Sequence, residues 1–157
     1  MNIGMDRDGL DIDYVQFLDL FYRYVPEMRD MIERRLRDGN ISMDDGGLVI
    51  WGVGVMDCVV ALMNRAEAHE KTLGSVFLFM ELMAMQREEV KSLLKYTFHV
   101  FMNEDHLREP ALARMGPETR KYWDAYMELL QLIRLAQLSS LYSDEEIAMR
   151  KRQAEMN

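Results

Sequence analysis

Large apolar side chains recur at helical spacing along most of the chain, and short polar or turn-forming segments interrupt them. A first helix over residues 11–24 is predicted by an apolar stripe of Val15, Leu18, Phe21, Tyr22 and Val25. Pro26 suits the first turn of a second helix, because its missing N–H is not needed there. In that helix Met28, Ile32 and Leu36 recur at every fourth residue. The segment Asp38–Asn40 should end it, because Gly and Asn tolerate the left-handed backbone.

Residues 41–47 form the most turn-like connection in the sequence. A third helix is predicted from Leu48 to about Glu70, with an apolar stripe of Trp51, Val55, Val59, Leu62 and Met63. Gly52 and Gly54 each cost about 1 kcal/mol against Ala inside a helix, so they imply that another helix packs closely there. A strand over residues 48–56 is the competing prediction, because this segment is rich in β-forming residues.

The most regular apolar pattern lies within residues 73–101. One stripe comprises Leu73, Phe77, Met80 and Ala84, and a second comprises Val90, Leu94, Phe98 and Phe101. The polar segment Gln86–Glu89 separates them and indicates two helices joined by a tight turn, with one continuous helix as the alternative. The methionines in these stripes are expected to fill gaps in the core rather than to line a ligand groove.

The C-terminal part of the sequence predicts three further elements. Leu107, Leu112 and Met115 indicate a short helix or turn around Pro110, which Gly116 should end. Pro117 then opens a helix over residues 117–138, with Trp123, Met127, Leu130 and Ile133 as its buried face. Ser143 and Glu146 resemble a capping box for a final helix over residues 144–155.

These elements predict an all-α fold of six to eight helices, arranged as an irregular bundle or a short solenoid-like stack of helical pairs. The chain of 157 residues has the length of one ordinary domain, so residues 1–157 are predicted to form a single helical domain. Residues 1–10 are expected to be a flexible start, and residues 144–157 to form a loosely packed terminal helix.

Composition narrows the class of partner. The formal net charge is −8, which disfavours direct binding to nucleic acid, because phosphate binding depends on a basic surface. The acidity favours a cationic protein partner or serves solubility. The single cysteine, Cys58, fits a reducing cytoplasmic compartment, and the first residues lack the apolar region of a secretory signal. Leu48–Met63 is shorter than the roughly 20 residues that a membrane span needs, and it contains Asp57.

No catalytic, cofactor or metal site is predicted. His99 and His106 are seven residues apart, about 10 Å along a helix, which is too far for one ion even with Glu104 nearby. Cys58 follows Asp57 in an apolar segment, a setting that raises the pKa of a thiol and makes it a poor nucleophile. The histidines are therefore interpreted as surface or capping residues, the cysteine as a structural core residue, and the chain as not an enzyme.

Acidic residues are the candidate partner-binding residues. Residues 1–21 carry five aspartates against Arg7 alone, and residues 40–63 carry Asp44, Asp45 and Asp57 with no basic residue. If these segments adjoin, they form a negative surface that can steer a basic partner. The predicted partner-binding residues are Asp11, Asp13, Asp44, Asp45, Glu88, Glu89, Glu104 and Asp105.

Four segments together carry a resemblance to a known group of proteins. They are the Pro-Glu helix at Tyr24–Leu36, the Phe-x-x-x-Glu element at Phe77–Glu81, the acidic turn Arg87–Glu89 before the apolar helix Val90–Phe101, and the Gly-Pro step at residues 116–117. This order resembles small helical immunity proteins found beside bacterial polymorphic or contact-dependent toxins. The resemblance implies an all-helical protein without catalytic residues that neutralises a cognate toxin by direct binding.

Three functional hypotheses arise from these patterns. The first is an immunity protein whose acidic helical surface covers a basic toxin domain, for example a nuclease. The second is a phage or host acidic inhibitor, or nucleic-acid mimic, that acts on a defence enzyme. The third is a helical small-molecule or metal-binding protein that uses His99, Glu104 and His106. The identity of the partner and the oligomeric state are not predicted.

Overall fold

The computed structural model describes residues 14–141 and 144–156, and within those ranges every regular element is a helix. The α-helices are α1 (Tyr14–Tyr24), α2 (Arg29–Asp38), α3 (Gly47–Val49), α4 (Asp57–Met63), α5 (Glu70–Ala84), α6 (Glu88–Lys91), α7 (Leu93–Asn103), α8 (Asp105–Arg114), α9 (Pro117–Leu141) and α10 (Asp144–Met156). A π-helix, Ile50–Met56, joins α3 to α4, and only Ser92 separates α6 from α7. These elements form eight continuous helical runs, which confirms the all-α fold with six to eight helices.

The N-terminal helices follow the predicted pattern. In α1 the predicted Leu18, Phe21 and Tyr22 are buried together with Phe17, and Val25 is buried directly after the helix, whereas the side chain of Val15 lies outside the described part of the structure. Pro26 occupies the first turn of a short 3-10 helix, Pro26–Met28, that leads directly into α2. Met28, Ile32 and Leu36 are buried, as predicted. The turn after α2 places Asn40 at φ 51°, which is the left-handed backbone expected of this residue.

The run from Gly47 to Met63 is helical throughout, so the competing prediction of a strand is wrong. It ends at Met63 rather than near Glu70, because a 3-10 helix, Ala66–Ala68, turns the chain before α5 begins. A Cβ added to Gly52 would lie 3.0 Å from the ring of Tyr96, and one added to Gly54 would lie 2.8 Å from Cδ2 of Leu36. Both glycines therefore permit the close packing that the sequence predicted, against α7 and α2 respectively.

Trp51 stands at the centre of the aromatic core. Its ring centroid lies 5.9 Å from that of Phe17, 6.0 Å from that of Phe21 and 6.4 Å from that of Phe79. The indole Nε1–H of Trp51 donates a hydrogen bond of 2.8 Å to the hydroxyl of Thr97, and both residues are fully buried. The one polar group of this side chain is therefore satisfied inside the core, as burial requires.

Helices α5 to α8 also match the predicted stripes. Both groups of four apolar residues within residues 73–101 are buried, and the segment around Gln86 forms the predicted turn between α5 and α6. Pro110 lies inside α8, which buries Leu107 and Ala111. The prediction of a short helix at this place is therefore confirmed, and Leu112 and Met115 are half-buried.

Backbone contacts divide the chain into two compact units, residues 1–120 and 121–157. In the second unit Trp123 is buried, but the prediction that Ile133 is buried is wrong, because 45% of its surface is exposed. The side of α9 that faces α10 carries Gln131 and Leu135, each two residues from Ile133. Two residues correspond to about 200° around a helix, so Ile133 points away from α10.

The last helix contributes no buried side chain among its described residues. Ser143, the first residue of the predicted capping box, lies outside the described residues, as do residues 1–10. No helix of the described ranges is long and apolar enough to cross a membrane.

Glu81 of α5 caps the start of α9 from outside that helix. Its carboxylate accepts a hydrogen bond of 2.6 Å from the backbone N–H of Glu118 and one of 3.0 Å from that of Thr119. The buried hydroxyl of Thr119 donates a third, of 2.8 Å. A Cβ on Gly116 would overlap this carboxylate, so the Gly-Pro step that opens α9 fits closely against Glu81.

We expect Glu81→Ala to lower the free energy of unfolding by about 3 kcal/mol, because three hydrogen bonds to one carboxylate are lost and a buried hydroxyl loses its acceptor. Urea unfolding followed by circular dichroism measures the change. Glu67→Ala, at an exposed glutamate, is the matched control and should stay within about 0.5 kcal/mol of the wild type. Equal stability of the two variants would show that the cap contributes nothing.

Candidate functional site

The structure separates the predicted partner-binding residues. Asp11 and Asp13 lie outside the described residues. The other six are all exposed, and they occupy three places: the turn before α3 (Asp44, Asp45), the start of α6 (Glu88, Glu89) and the junction of α7 with α8 (Glu104, Asp105). The six predicted residues that the structure describes therefore form three pairs, and the surroundings of each pair differ.

The run from Gly47 to Met63 and helix α7 lie side by side and point the same way. Trp51 contacts Thr97 near the start of both, Gly52 faces Tyr96, and His106 Nε2 lies 2.9 Å from Asn64 Oδ1 just past the end of both. Asp44 and Asp45 precede the first of these contacts, whereas Glu104 and Asp105 adjoin the last. The two acidic pairs are therefore at opposite ends, roughly 20 Å apart along the helices.

Four of the six carboxylates have a basic side chain close by. Glu88 lies 3.8 Å from Lys95 Nζ, and Glu89 lies 3.8 Å from Arg87 Nε. Glu104 lies 3.8 Å from His106 Nδ1, and Asp105 lies 3.2 Å from Arg108 Nη2. These neighbours reduce the negative potential that the acidic pairs at α6 and at the α7–α8 junction present to a partner.

Asp44 and Asp45 differ, because no basic side chain of the described residues lies within ion-pair distance of either. They form a short 3-10 helix, Met43–Asp45, that a capping box holds. The carboxylate of Asp45 accepts a hydrogen bond of 2.7 Å from the Ser42 N–H, and the Ser42 hydroxyl accepts one of 3.3 Å from the Asp44 N–H. Gly46 follows at φ 92°, a backbone conformation that favours glycine.

Two exposed apolar side chains follow these aspartates closely in the sequence. Leu48 is 55% exposed and Val49 is 37% exposed, although both open a helical run that is otherwise largely buried. We call Asp44, Asp45, Leu48 and Val49 the acidic turn face. Sequence reasoning missed the two apolar members, because the apolar stripe predicted for this run begins only at Trp51. The adjacent turn signal, Gly46-Gly47, marks them as the first exposed turn of a helix.

Asp57 does not add to a negative surface. The sequence from residue 40 to residue 63 carries no base, but the neighbouring helix α2 supplies one: Arg35 Nη2 lies 2.8 Å from an Asp57 carboxylate oxygen. The expectation of an unopposed charge at Asp57 is therefore wrong, because helix packing brings a base from another part of the chain.

Cys58 is buried beside this ion pair. Burial, and next the charge of Asp57, raise the pKa of its thiol to about 11, while Arg35 acts in the opposite direction. The thiol is consequently protonated at neutral pH and a poor nucleophile, in agreement with its predicted structural role.

We expect the fold to lose stability in alkali, because two buried groups have raised pKa values. The pKa of Cys58 rises from 9.0 to about 11, and burial, then the nearby Glu33, raises that of Tyr22 from 10.0 to about 12. A raised acid pKa contributes stability that is complete below the unfolded pKa and is lost as the pH rises through the folded one. The free energy of unfolding, measured by chemical denaturation, should decline between pH 8 and pH 10.5. This decline should be smaller by about 2 kcal/mol in Cys58→Ala than in the wild type. Parallel curves for the two proteins would contradict the effect of Cys58.

The histidines of the metal-binding hypothesis do not converge. His106 pairs with Asn64 and lies near Glu104, and His99 has its own partner in the structure. Within residues 14–141 and 144–156, no group of three or more His, Cys, Asp or Glu side chains is arranged to hold a metal ion.

Comparisons with family models, with curated proteins and with solved structures find no match to this chain.

Proposed function

We propose that this chain is a non-enzymatic binding protein that engages a basic protein partner through the acidic turn face. One observation carries the proposal: unopposed acidic residues and exposed apolar side chains occur together in this turn. Asp44 and Asp45 lack a neighbouring base among the described residues, and the side chains of Leu48 and Val49 are exposed. Unopposed carboxylates steer a cationic partner toward the surface. Apolar side chains that become buried on contact then supply binding free energy.

The local geometry favours binding at this place. The capping box fixes the Met43–Asp45 helix before any partner arrives. A surface that is ordered in the free protein loses little conformational entropy on binding, so more of the contact free energy appears as affinity. Gly46 has open space where a Cβ would stand, so a partner can approach the backbone between the aspartates and Leu48.

The partner that we propose is a cognate bacterial toxin domain with a basic surface, which would make the chain a cytoplasmic immunity protein. The resemblance of Tyr24–Leu36, Phe77–Glu81, Arg87–Phe101 and residues 116–117 to such proteins supports this choice. A toxin that degrades nucleic acid carries the basic surface that phosphate binding requires. An acidic protein that covers this surface would block access of the substrate.

Co-expression with the product of the adjacent gene tests the proposal. We expect this chain to restore growth of cells that produce the adjacent protein, and the two proteins to co-purify as a stable complex. Restored growth without a complex would point to another mode of protection. No protection and no complex would overturn the immunity function.

A further inference from the structure

A groove of about 320 Å³ lies between α9 and α10 in the C-terminal unit. Its volume is in the range of small-molecule sites in proteins. The groove and the acidic turn face belong to different units, so ligand binding in the groove does not depend on the proposed function.

The residues that line the groove show that the two helices run antiparallel. Basic side chains from both helices line the groove: Arg134 comes from α9, and Arg150 and Lys151 come from α10. Within the described residues, no ion pair joins Arg134 or Lys151 to a carboxylate. Like charges across a groove repel, and an anion between them would remove that repulsion.

The rest of the lining is apolar and incompletely covered. Leu135, Leu138 and Ile147 are all only half-buried, and α10 contributes no buried side chain. Ile147 is the one large apolar side chain that α10 places in the lining. An aliphatic group in the groove would remove more of this apolar surface from water.

We propose that this groove binds a small amphipathic anion, an aliphatic carboxylate whose head group lies between Arg134 and Lys151 and whose chain lies along Leu135, Leu138 and Ile147. The carboxylate accepts charge-assisted hydrogen bonds from the two basic side chains. A free monomeric amphiphile, rather than a membrane surface, fits a groove that helices border on two sides.

Titration calorimetry of the full-length protein with decanoate, below its micelle concentration, tests the site. We expect saturable binding of one decanoate per chain, and tenfold or weaker affinity in the double variant Arg134→Gln/Lys151→Gln. The matched control is Lys121→Gln/Arg152→Gln, which removes the same charge from exposed positions of the same two helices outside the groove. Its affinity should stay within twofold of the wild type.

A second variant tests the apolar part of the groove. Ala154→Phe adds a large side chain to the lining and should abolish decanoate binding while the helix content by circular dichroism stays unchanged. The proposal would be overturned if the cation decyltrimethylammonium bound as tightly as decanoate. It would also be overturned if both double variants lost the same amount of affinity for decanoate. If decanoate did not bind at all, the proposal would be overturned too. If phosphatidylglycerol vesicles then captured the protein, the basic residues would be assigned to binding a lipid surface instead.

Discussion

Replacing Trp51 with alanine is expected to lower the free energy of unfolding by about 4 kcal/mol, a large fraction of the 5–15 kcal/mol typical of a domain. The side chain is fully buried, and its ring meets those of Phe17, Phe21 and Phe79. Its removal opens a cavity that these neighbours cannot fill without shifting in a close-packed core. Urea unfolding of wild type and variant measures the difference.

The hydrogen bond between Trp51 and Thr97 can be separated from this packing effect. Thr97→Val keeps the shape of the core but removes the acceptor of the Trp51 Nε1–H, so we expect a loss of about 1–3 kcal/mol. In Trp51→Phe the same Val substitution should cost much less, because no indole N–H is left unpaired. Additive losses in this double-mutant cycle would show that the bond does not stabilise the fold.

Reversing both charges of the acidic turn face is expected to weaken the complex with the proposed toxin partner at least 100-fold. Asp44→Lys/Asp45→Lys turns attraction into repulsion, and like-charge contact across an interface costs several kcal/mol. Asp45→Lys also removes the carboxylate that accepts the Ser42 N–H. Circular dichroism must therefore show unchanged stability before the affinities are compared, and Asp44→Lys alone provides a variant that keeps this bond.

The acidic pair Glu104 and Asp105, at the opposite end from Asp44 and Asp45, offers a matched control. Glu104→Lys/Asp105→Lys makes the same change in charge at exposed positions at the junction of α7 with α8. We expect this variant to change the affinity less than threefold at physiological salt, because the distance between the two acidic pairs exceeds the screening length of about 8 Å. Equal weakening by both double variants would mean that net charge, and not this turn, governs binding.

Much of the fold could be predicted from residue spacing, because an apolar stripe of period 3.6 reports directly which side of a helix is buried. The stripes of α2, α5 and α7 were predicted correctly for this reason. The π-helix at Ile50–Met56 could not be predicted, since the same apolar run is compatible with an α-helix or a π-helix. Ile133 was wrongly predicted to be buried, because an apolar stripe shows which side of a helix is apolar but does not show whether another element covers that side.

The candidate site was harder to predict than the core. The sequence identifies carboxylates, but their effect depends on bases from distant segments, as Arg35 shows at Asp57. The sequence also placed Glu81 in the Phe77–Glu81 element that carries part of the family resemblance, whereas in the structure its carboxylate caps α9. Among the predicted acidic residues that the structure describes, Asp44 and Asp45 differ from the other four in having no basic side chain within ion-pair distance, which spacing along the sequence does not show.

Hydrogen exchange of the full-length chain, free and in complex with the product of the adjacent gene, tests the central claim most directly. We predict slower exchange on binding at the backbone amides of residues 43–50, around the acidic turn face, and little change at residues 103–107 near Glu104 and Asp105. Protection confined to residues 103–107, or no protection of residues 43–50 in a stable complex, would contradict the claim that this turn binds the partner.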